Sequence, residues 1–357
     1  MTWIGLRDSH GGMLRPQGLD GPDMGPANPD TVLARGTLLI EFRHDPAGHP
    51  RNILRYSARD PWPAGLTLCL DPDGTLRLML TQGRQALSYA LPLAPLIAAE
   101  AVLVTFSWDA PARNGWLSAQ LTDREALFQT ALAAPLPLSL RDAGRIMGDD
   151  STCRIAPGLV FAALADHILP AGPLPMLGAQ SMISTPSGAQ KVTALRPGMA
   201  VLTADGGTAK VRWAGSCDLP ARGRFAPMLL RAPYHGLNRD LLLAADQRLQ
   251  LGGSEVEYLF GEEQVAVPVR HLADNRAIWP AASGPVIRYH HLLLDRHAII
   301  LANGAAIESM DASLLTDPAM QAQSVLAGLT DPPRGPRLPW PVLRDFEALT
   351  LQRLRAA

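Results

Sequence analysis

Residues 184–207, STPSGAQKVTALRPGMAVLTADGG, decide how this chain is read. Pro197-Gly198 suits the centre of a type II turn, where proline pre-sets φ and glycine supplies the positive φ that follows. Asp205-Gly206 is the short-range signature of a tight hairpin. It predicts that a strand over 199–203 closes against a second strand over 210–213. Val192, Leu195, Val201 and Leu202 are the apolar positions expected to turn inward.

Working outward, 357 residues point to two domains. A hydrophobic content of 47% is ample for packed cores, and a mean hydropathy near zero fits neither disorder nor membrane residence. Lys+Arg 32 against Asp+Glu 33 leaves no global field to steer the chain to nucleic acid or anionic lipid. Few aromatics with many prolines and glycines fit a loop-rich β protein. Cys69, Cys153 and Cys217 are odd in number, far apart and without C-x-x-C spacing, so neither a disulfide framework nor a zinc site is expected. The start, MTWIGLRDSHGG, lacks a charged n-region with an apolar h-region, and no apolar run reaches the ~18 residues of a spanning helix. The expectation is a protein without a cleaved signal, cytoplasmic by default or exported by a non-classical bacterial route.

Residues 1–34, rich in Gly, Pro and Asp, read as a loop-rich lead-in. From 35 to 171 short strand runs follow one another: 37–42, 66–70, 75–80, 86–91, 102–108 and 116–121. Asp71-Pro72-Asp73-Gly74 reads as the turn between the second and third of these. Such spacing predicts a β-sandwich. Residues 159–169 (LVFAALADHIL) suit a closing strand or a short helix. A stiff connector with Pro170, Gly172, Pro173 and Pro175 then marks a boundary. In the tail, a helix is expected over 318–329 with Asp317 as N-cap. A second is expected over 341–354 with Leu343, Phe346, Leu349 and Leu354 at helical spacing, beyond a Pro-rich link over 332–341.

The opening stretch carries a resemblance. T-P-x-G followed by V-x-x-L-R-x-G-x-x-V-L-T-x-D-G is similar to the start of a bacterial Hint (Hedgehog/intein) domain. The likeness continues through R-x-P-Y-x-G-L-x-x-D-L-x-x-x-x-D-Q-R-L (231–249), S-E-V-E-Y-L-F-G-E-E (254–263), R-H-L (270–272), Y-H-x-L-L-L-D-R-H (289–297) and A-N-G-x-x-x-E-S (302–309). Consistent order over about 135 residues, 176–310, makes chance a poor explanation although each motif alone is weak. In the first half, L-x-L-x-L-D-P-D-G-x-L-x-L, then V-T-F-S-W-D and N-G-W-L-S, resemble laminin-G/concanavalin-like jelly rolls. The implied fold is mainly β: a jelly-roll-like sandwich over 35–171, a Hint-like all-β domain over 176–310 and a short helical tail over 311–357.

The Hint resemblance implies self-cleavage chemistry. A Cys or Ser at the first position attacks the preceding carbonyl, and a His-bearing second element protonates the leaving nitrogen. Gapless alignment on Thr185-Pro186 puts Met176 at the nucleophile position, and a thioether has no ionisable proton. The S-P-x-H-R-like element falls on 244–248, so the histidine is Gln247, which does not transfer a proton near neutrality. Met176, Thr185, Asp246, Gln247, Asp295 and His297 are therefore expected as a vestigial pocket. Ser181, or else Ser184, is the alternative nucleophile if the alignment carries a gap; both otherwise read as strand or turn hydroxyls. His297 reads either as a pocket residue paired with Asp295 or as a strand-end residue holding a backbone carbonyl.

Other clusters read more simply. His290, His291, Asp295 and His297 resemble a metal set, but on a strand 290 points away from the rest, so no metal is expected. Glu255, Glu257, Glu262 and Glu263 read as a solvated acidic edge, with 255 and 257 on one strand face. Asp71/Asp73 and Asp149/Asp150 do not fit an EF-hand loop. The reading is a non-catalytic Hint protein with a structural or binding role and no cofactor. Its sandwich would bind carbohydrate or a protein surface, with Trp62, Trp108 and Trp116 as candidate aromatics, although Trp108 reads better as core. The alternative is self-cleavage near 175–181.

Overall fold

Alternation builds the first unit. In the strands Ala64–Leu70 and Thr75–Gln82, Leu66, Leu68, Leu70, Leu76, Leu78 and Leu80 are buried while the residues between them face outward, the period of two that a half-buried strand requires. The computed structural model describes residues 2–356 apart from 23, 24, 26, 46–51, 97–99, 123, 149, 150 and 333–339. It divides into two units, Met1–Ala171 and Gly172–Ala357.

In the first unit, strands 153–155, 52–58, 64–70, 75–82 and 85–92 form a five-stranded sheet in that spatial order. A seven-stranded sheet runs 126–133, 114–121, 101–109, 35–43, 159–165, 3–8 and 11–14. Leu38, Ile40, Phe106 and Leu117 of the larger sheet meet Leu54, Tyr56, Leu66 and Leu78 of the smaller in one core, which makes the unit a β-sandwich. Trp108 lies in that core with its indole N–H donating to the Leu33 carbonyl at 2.8 Å. Its register partner is Gly36. A Cβ there would fall 2.4 Å from the Trp108 ring and 2.9 Å from the Ala165 carbonyl oxygen.

Residues 1–34 depart from the expected loop-rich lead-in. Trp3–Asp8 pairs with both Leu159–Ala165 and Gly11–Leu14, and Trp3, Ile4 and Leu6 are buried. A strand covered on both faces shows no alternation, and Gly5 is there because Met147 packs against it. Residues 159–165 are the closing strand rather than a helix. The helix Leu140–Met147 was not anticipated. Ser139 caps it, accepting from the Asp142 N–H at 3.1 Å, and Tyr56 donates to the Asp142 carboxylate at 2.5 Å.

The second unit is also two antiparallel sheets. One runs 200–202, 208–220, 286–294, 177–178, 241–244, 227–230, 278–280; the other runs 188–191, 182–185, 299–302, 305–308, 248–252, 264–268. Gly198 and Gly206 have φ of 92° and 80°, so both turns need the freedom glycine has. Ala200–Leu202 pairs with 208–210. Val192, Leu195 and Val201 are buried as expected, whereas Leu202 is only half-buried.

The tail is shorter in helix than its pattern implies. Asp317 does cap a helix, accepting from the Met320 N–H at 2.9 Å, but the helix is only Pro318–Ala322. The last helix is Asp345–Ala356. Its buried side carries Ala348 and Leu351, leaving Phe346, Leu349 and Leu354 exposed, because Val342 and Leu343 first pair with Ala266 and fix the entry angle. Most of the Pro-rich link lies outside the described residues. Glu255 and Glu257 belong to the helix Ser254–Phe260, not to a strand; in the first turn they face the positive end of its dipole. The fold is mainly β, a sandwich plus an all-β domain with a short helical tail.

Gly36→Ala is expected to lose about 1–3 kcal/mol in urea unfolding, since the new methyl overpacks the Trp108 ring. Gly144→Ala, mid-helix with its nearest neighbour at 3.6 Å, is expected to gain about 0.5–1 kcal/mol instead. Equal effects at the two positions would contradict this packing.

Candidate functional site

Glu308 ends the strand Ala305–Glu308, in which Ala305 and Ile307 point into the core. Its Oε1 meets His297 Nε2 at 3.2 Å and its Oε2 meets Arg248 Nη1 at 3.5 Å. Its backbone carbonyl accepts from Gln247 Nε2 at 3.0 Å. His291, buried on the strand Val286–Leu294, feels the charges of both Glu308 and His297. Burial alone would raise the Glu308 carboxyl. Arg248 above all, then His297 and His291, outweigh that and hold it below the usual carboxylate value. Burial pushes the His291 imidazole down to about 4, against the pull of Glu308, so it stays neutral near pH 7.

Ser181 Oγ, Gln247 Oε1 and His291 Nδ1 are buried without a hydrogen-bond partner among the described residues. Unpaired buried polar atoms are uncommon in folded proteins and each requires an explanation.

The expected pocket residues separate into two groups. Met176 and Gln247 share a neighbour: the Met176 carbonyl accepts from the Ala244 N–H at 2.9 Å, and the Gln247 N–H donates to the Ala244 carbonyl at 3.0 Å. Gln247 and His297 then meet on Glu308. Thr185 stands apart in its bonding, its hydroxyl donating to the Gly188 carbonyl at 2.6 Å to close its own hairpin. Asp246 is buried between Arg224, at 2.7 Å, and Arg270, an ion-pair group that ties down residues 245–247. The pairing of His297 with Asp295 is corrected. His297 meets Glu308, while exposed Asp295 accepts from the Lys210 N–H at 3.0 Å. Ser181 is buried, and its backbone bonds to Gly178 and Val192.

Among the described residues, no three His, Cys, Asp or Glu side chains are grouped to hold a metal ion. Asp149 and Asp150 lie outside those residues. Asp71 is tied to Arg77 at 2.7 Å and Asp73 accepts from the Thr75 N–H, which is turn chemistry. Of the candidate aromatics, Trp108 is core, Trp116 is half-buried and Trp62 is 43% exposed.

The quoted motifs contain Glu308 and Arg248 without giving either a role, and they leave position 291, a histidine here, open. The available signal was a charge placed within an otherwise apolar run, as in A-A-I-E and R-L-Q-L.

The family model of the Hint domain matches residues 175–313. This match supports a Hint domain in that stretch and covers less than half of the chain. Among solved structures, the MchDnaB-1 intein is similar at 13% identity, over 38% of this chain and 99% of its own, with a TM-score of 0.25. The CBM40 of the Ruminococcus gnavus IT-sialidase, bound to α2,3-sialyllactose, is similar at 13% identity, over 38% of this chain and 77% of its own, with a TM-score of 0.27. Bacteriophage CBA120 tailspike protein 2 is similar at 14% identity, over 39% of this chain and 20% of its own, with a TM-score of 0.24. Superpositions this loose bear on nothing further. No curated protein matches.

His291 sets a pH dependence. The unfolded chain protonates it near 6.5 and the folded chain near 4. Between those values the unfolded state binds the extra proton, so folding stability falls as pH drops through that window, by on the order of 3 kcal/mol. Glu308, held low, contributes stability above its ordinary 4.5 that is lost below it. His291→Gln is expected to flatten the wild-type decline between pH 6.5 and 4 in urea titrations; an unchanged slope would contradict the assignment.

Proposed function

We propose that this is a binding or structural protein whose Hint domain does not cut its own backbone. The carrying observation is at residue 247. A neutral glutamine amide donates to the Glu308 carbonyl, at the position where the resemblance implies a proton-donating histidine. Met176 supplies no proton to lose and no sulfur anion to attack. The His297–Glu308 pair keeps the form of a base with an orienting carboxylate, but nothing at 176 answers it. The sandwich of the first unit, which includes the strands 3–8 and 11–14, is the binding module, for a carbohydrate or a protein surface. A balanced net charge argues against nucleic acid as the ligand. No helix among the described residues is long and apolar enough to cross a membrane.

One observation favours self-cleavage: the Ser181 hydroxyl is buried and unpaired. Against it, among the described residues no base reaches that hydroxyl by a hydrogen bond, and an unactivated serine is a weak nucleophile.

With excess thiol or hydroxylamine, the chain is expected to show no cleavage on a denaturing gel over days. General acid–base help alone is worth ~10²–10⁴-fold, and the nucleophile is missing as well. Met176→Cys with Gln247→His restores both groups, and thiol-dependent scission before residue 176 is the expected outcome. Thiol-dependent scission of the unmodified chain would overturn the proposal.

A further inference from the structure

The edge of the seven-stranded sheet in the second unit carries an open concavity of about 750 Å³, lined by Arg231, Asn275, Arg276, Trp279 and Pro280. Its floor follows from strand register. Leu230 pairs with Ile278 and Leu229 with Trp279, and the Arg231 N–H donates to the Ala277 carbonyl at 2.9 Å. Arg231 and Trp279 therefore rise from neighbouring strands at one end of the sheet.

Two features make this a prepared surface. Arg276 is held in place, its Nε donating to the Tyr234 hydroxyl at 3.0 Å and its guanidinium 5.7 Å from the centre of that ring. Asp274 is not among the lining residues; one of its oxygens accepts from the N–H groups of Arg276, Ala277 and Ile278 at 2.9, 2.7 and 3.0 Å, which ties this carboxylate to the turn backbone. Arg231 is exposed, and among the described residues its guanidinium has no carboxylate partner. Two cations thus flank a half-buried indole with no compensating acid in the lining.

The occupant can be narrowed by chemistry. An extended peptide has no edge to join: the Ile278 carbonyl accepts from Asp274 and Asn275, its N–H is bonded to Asp274, and Pro280 has no N–H. Nucleic acid binding draws on many phosphate contacts, and two arginines in a chain of net charge −1 do not provide them. An inorganic anion would leave the indole and proline walls unused. The concavity is open to solvent, which suits a chain of sugar rings laid across it rather than an enclosed molecule. We infer that this concavity binds an acidic oligosaccharide, a sugar ring lying on Trp279 and its carboxylate held by Arg231 and Arg276.

The test uses the full chain and linear trigalacturonate. The Trp279 indole N–H, assigned with Trp279→Phe, is followed by NMR to about 10 mM ligand, far above any Kd that would matter. A saturable shift is expected, and Arg231→Ala, which removes one charge-assisted contact, is expected to weaken it at least ~10-fold. Unaltered signals elsewhere in the Arg231→Ala spectrum keep that loss separate from misfolding. A neutral trisaccharide of equal length shifting Trp279 as strongly would overturn the proposal, as would an equal shift by sodium sulfate. No shift with trigalacturonate would overturn it outright.

Discussion

A two-residue strand holds the second unit together. Leu177 pairs with His290 on one side and with Leu243 on the other, and so joins the two halves of the seven-stranded sheet. Gly178 beside it has no room for a side chain, since a Cβ would lie 2.8 Å from the Leu242 carbonyl oxygen. Met176, immediately before, has its carbonyl bonded to the Ala244 N–H. The sheet thus begins one residue after the peptide bond, 175–176, that a self-cleaving domain would attack, and Met176 and Leu177 are held from the far side of that bond.

A second constraint is the Glu308 carboxylate. A charge in that position must be paired or it neutralises. Arg248 and His297 supply the pairing, and Gln247 holds the backbone carbonyl of the same residue. Buried ion pairs of this kind are weak evidence for stability. Their effect is geometric: the end of one strand, the start of another and the loop between 294 and 299 are fixed at one carboxylate. The Asp246 group, with Arg224 and Arg270, does the same for residues 245–247.

Much of this was legible wherever one face of a strand is buried, because alternation then shows in the letters. The hairpin after Asp205-Gly206 and the strands around Asp71-Pro72-Asp73-Gly74 are of that kind. Trp3–Asp8 was not, because both faces are covered and no period survives. The tail helix misled for another reason. Leu343 is buried before the helix begins, so a stripe drawn from it lands on the wrong side, and Phe346 and Leu349 end up exposed. At the site, the resemblance located Gln247 and His297, but the pairing of His297 with Glu308 rather than Asp295 depends on contacts eleven residues along the chain and across a hairpin. No local pattern encodes that choice.

We propose a Hint domain that keeps its fold and does not cut its own backbone. Intact mass of the freshly purified, unmodified chain tests that most directly. A single species at 38.3 kDa is predicted. Two fragments, split before Met176 or before Ser181, would contradict it.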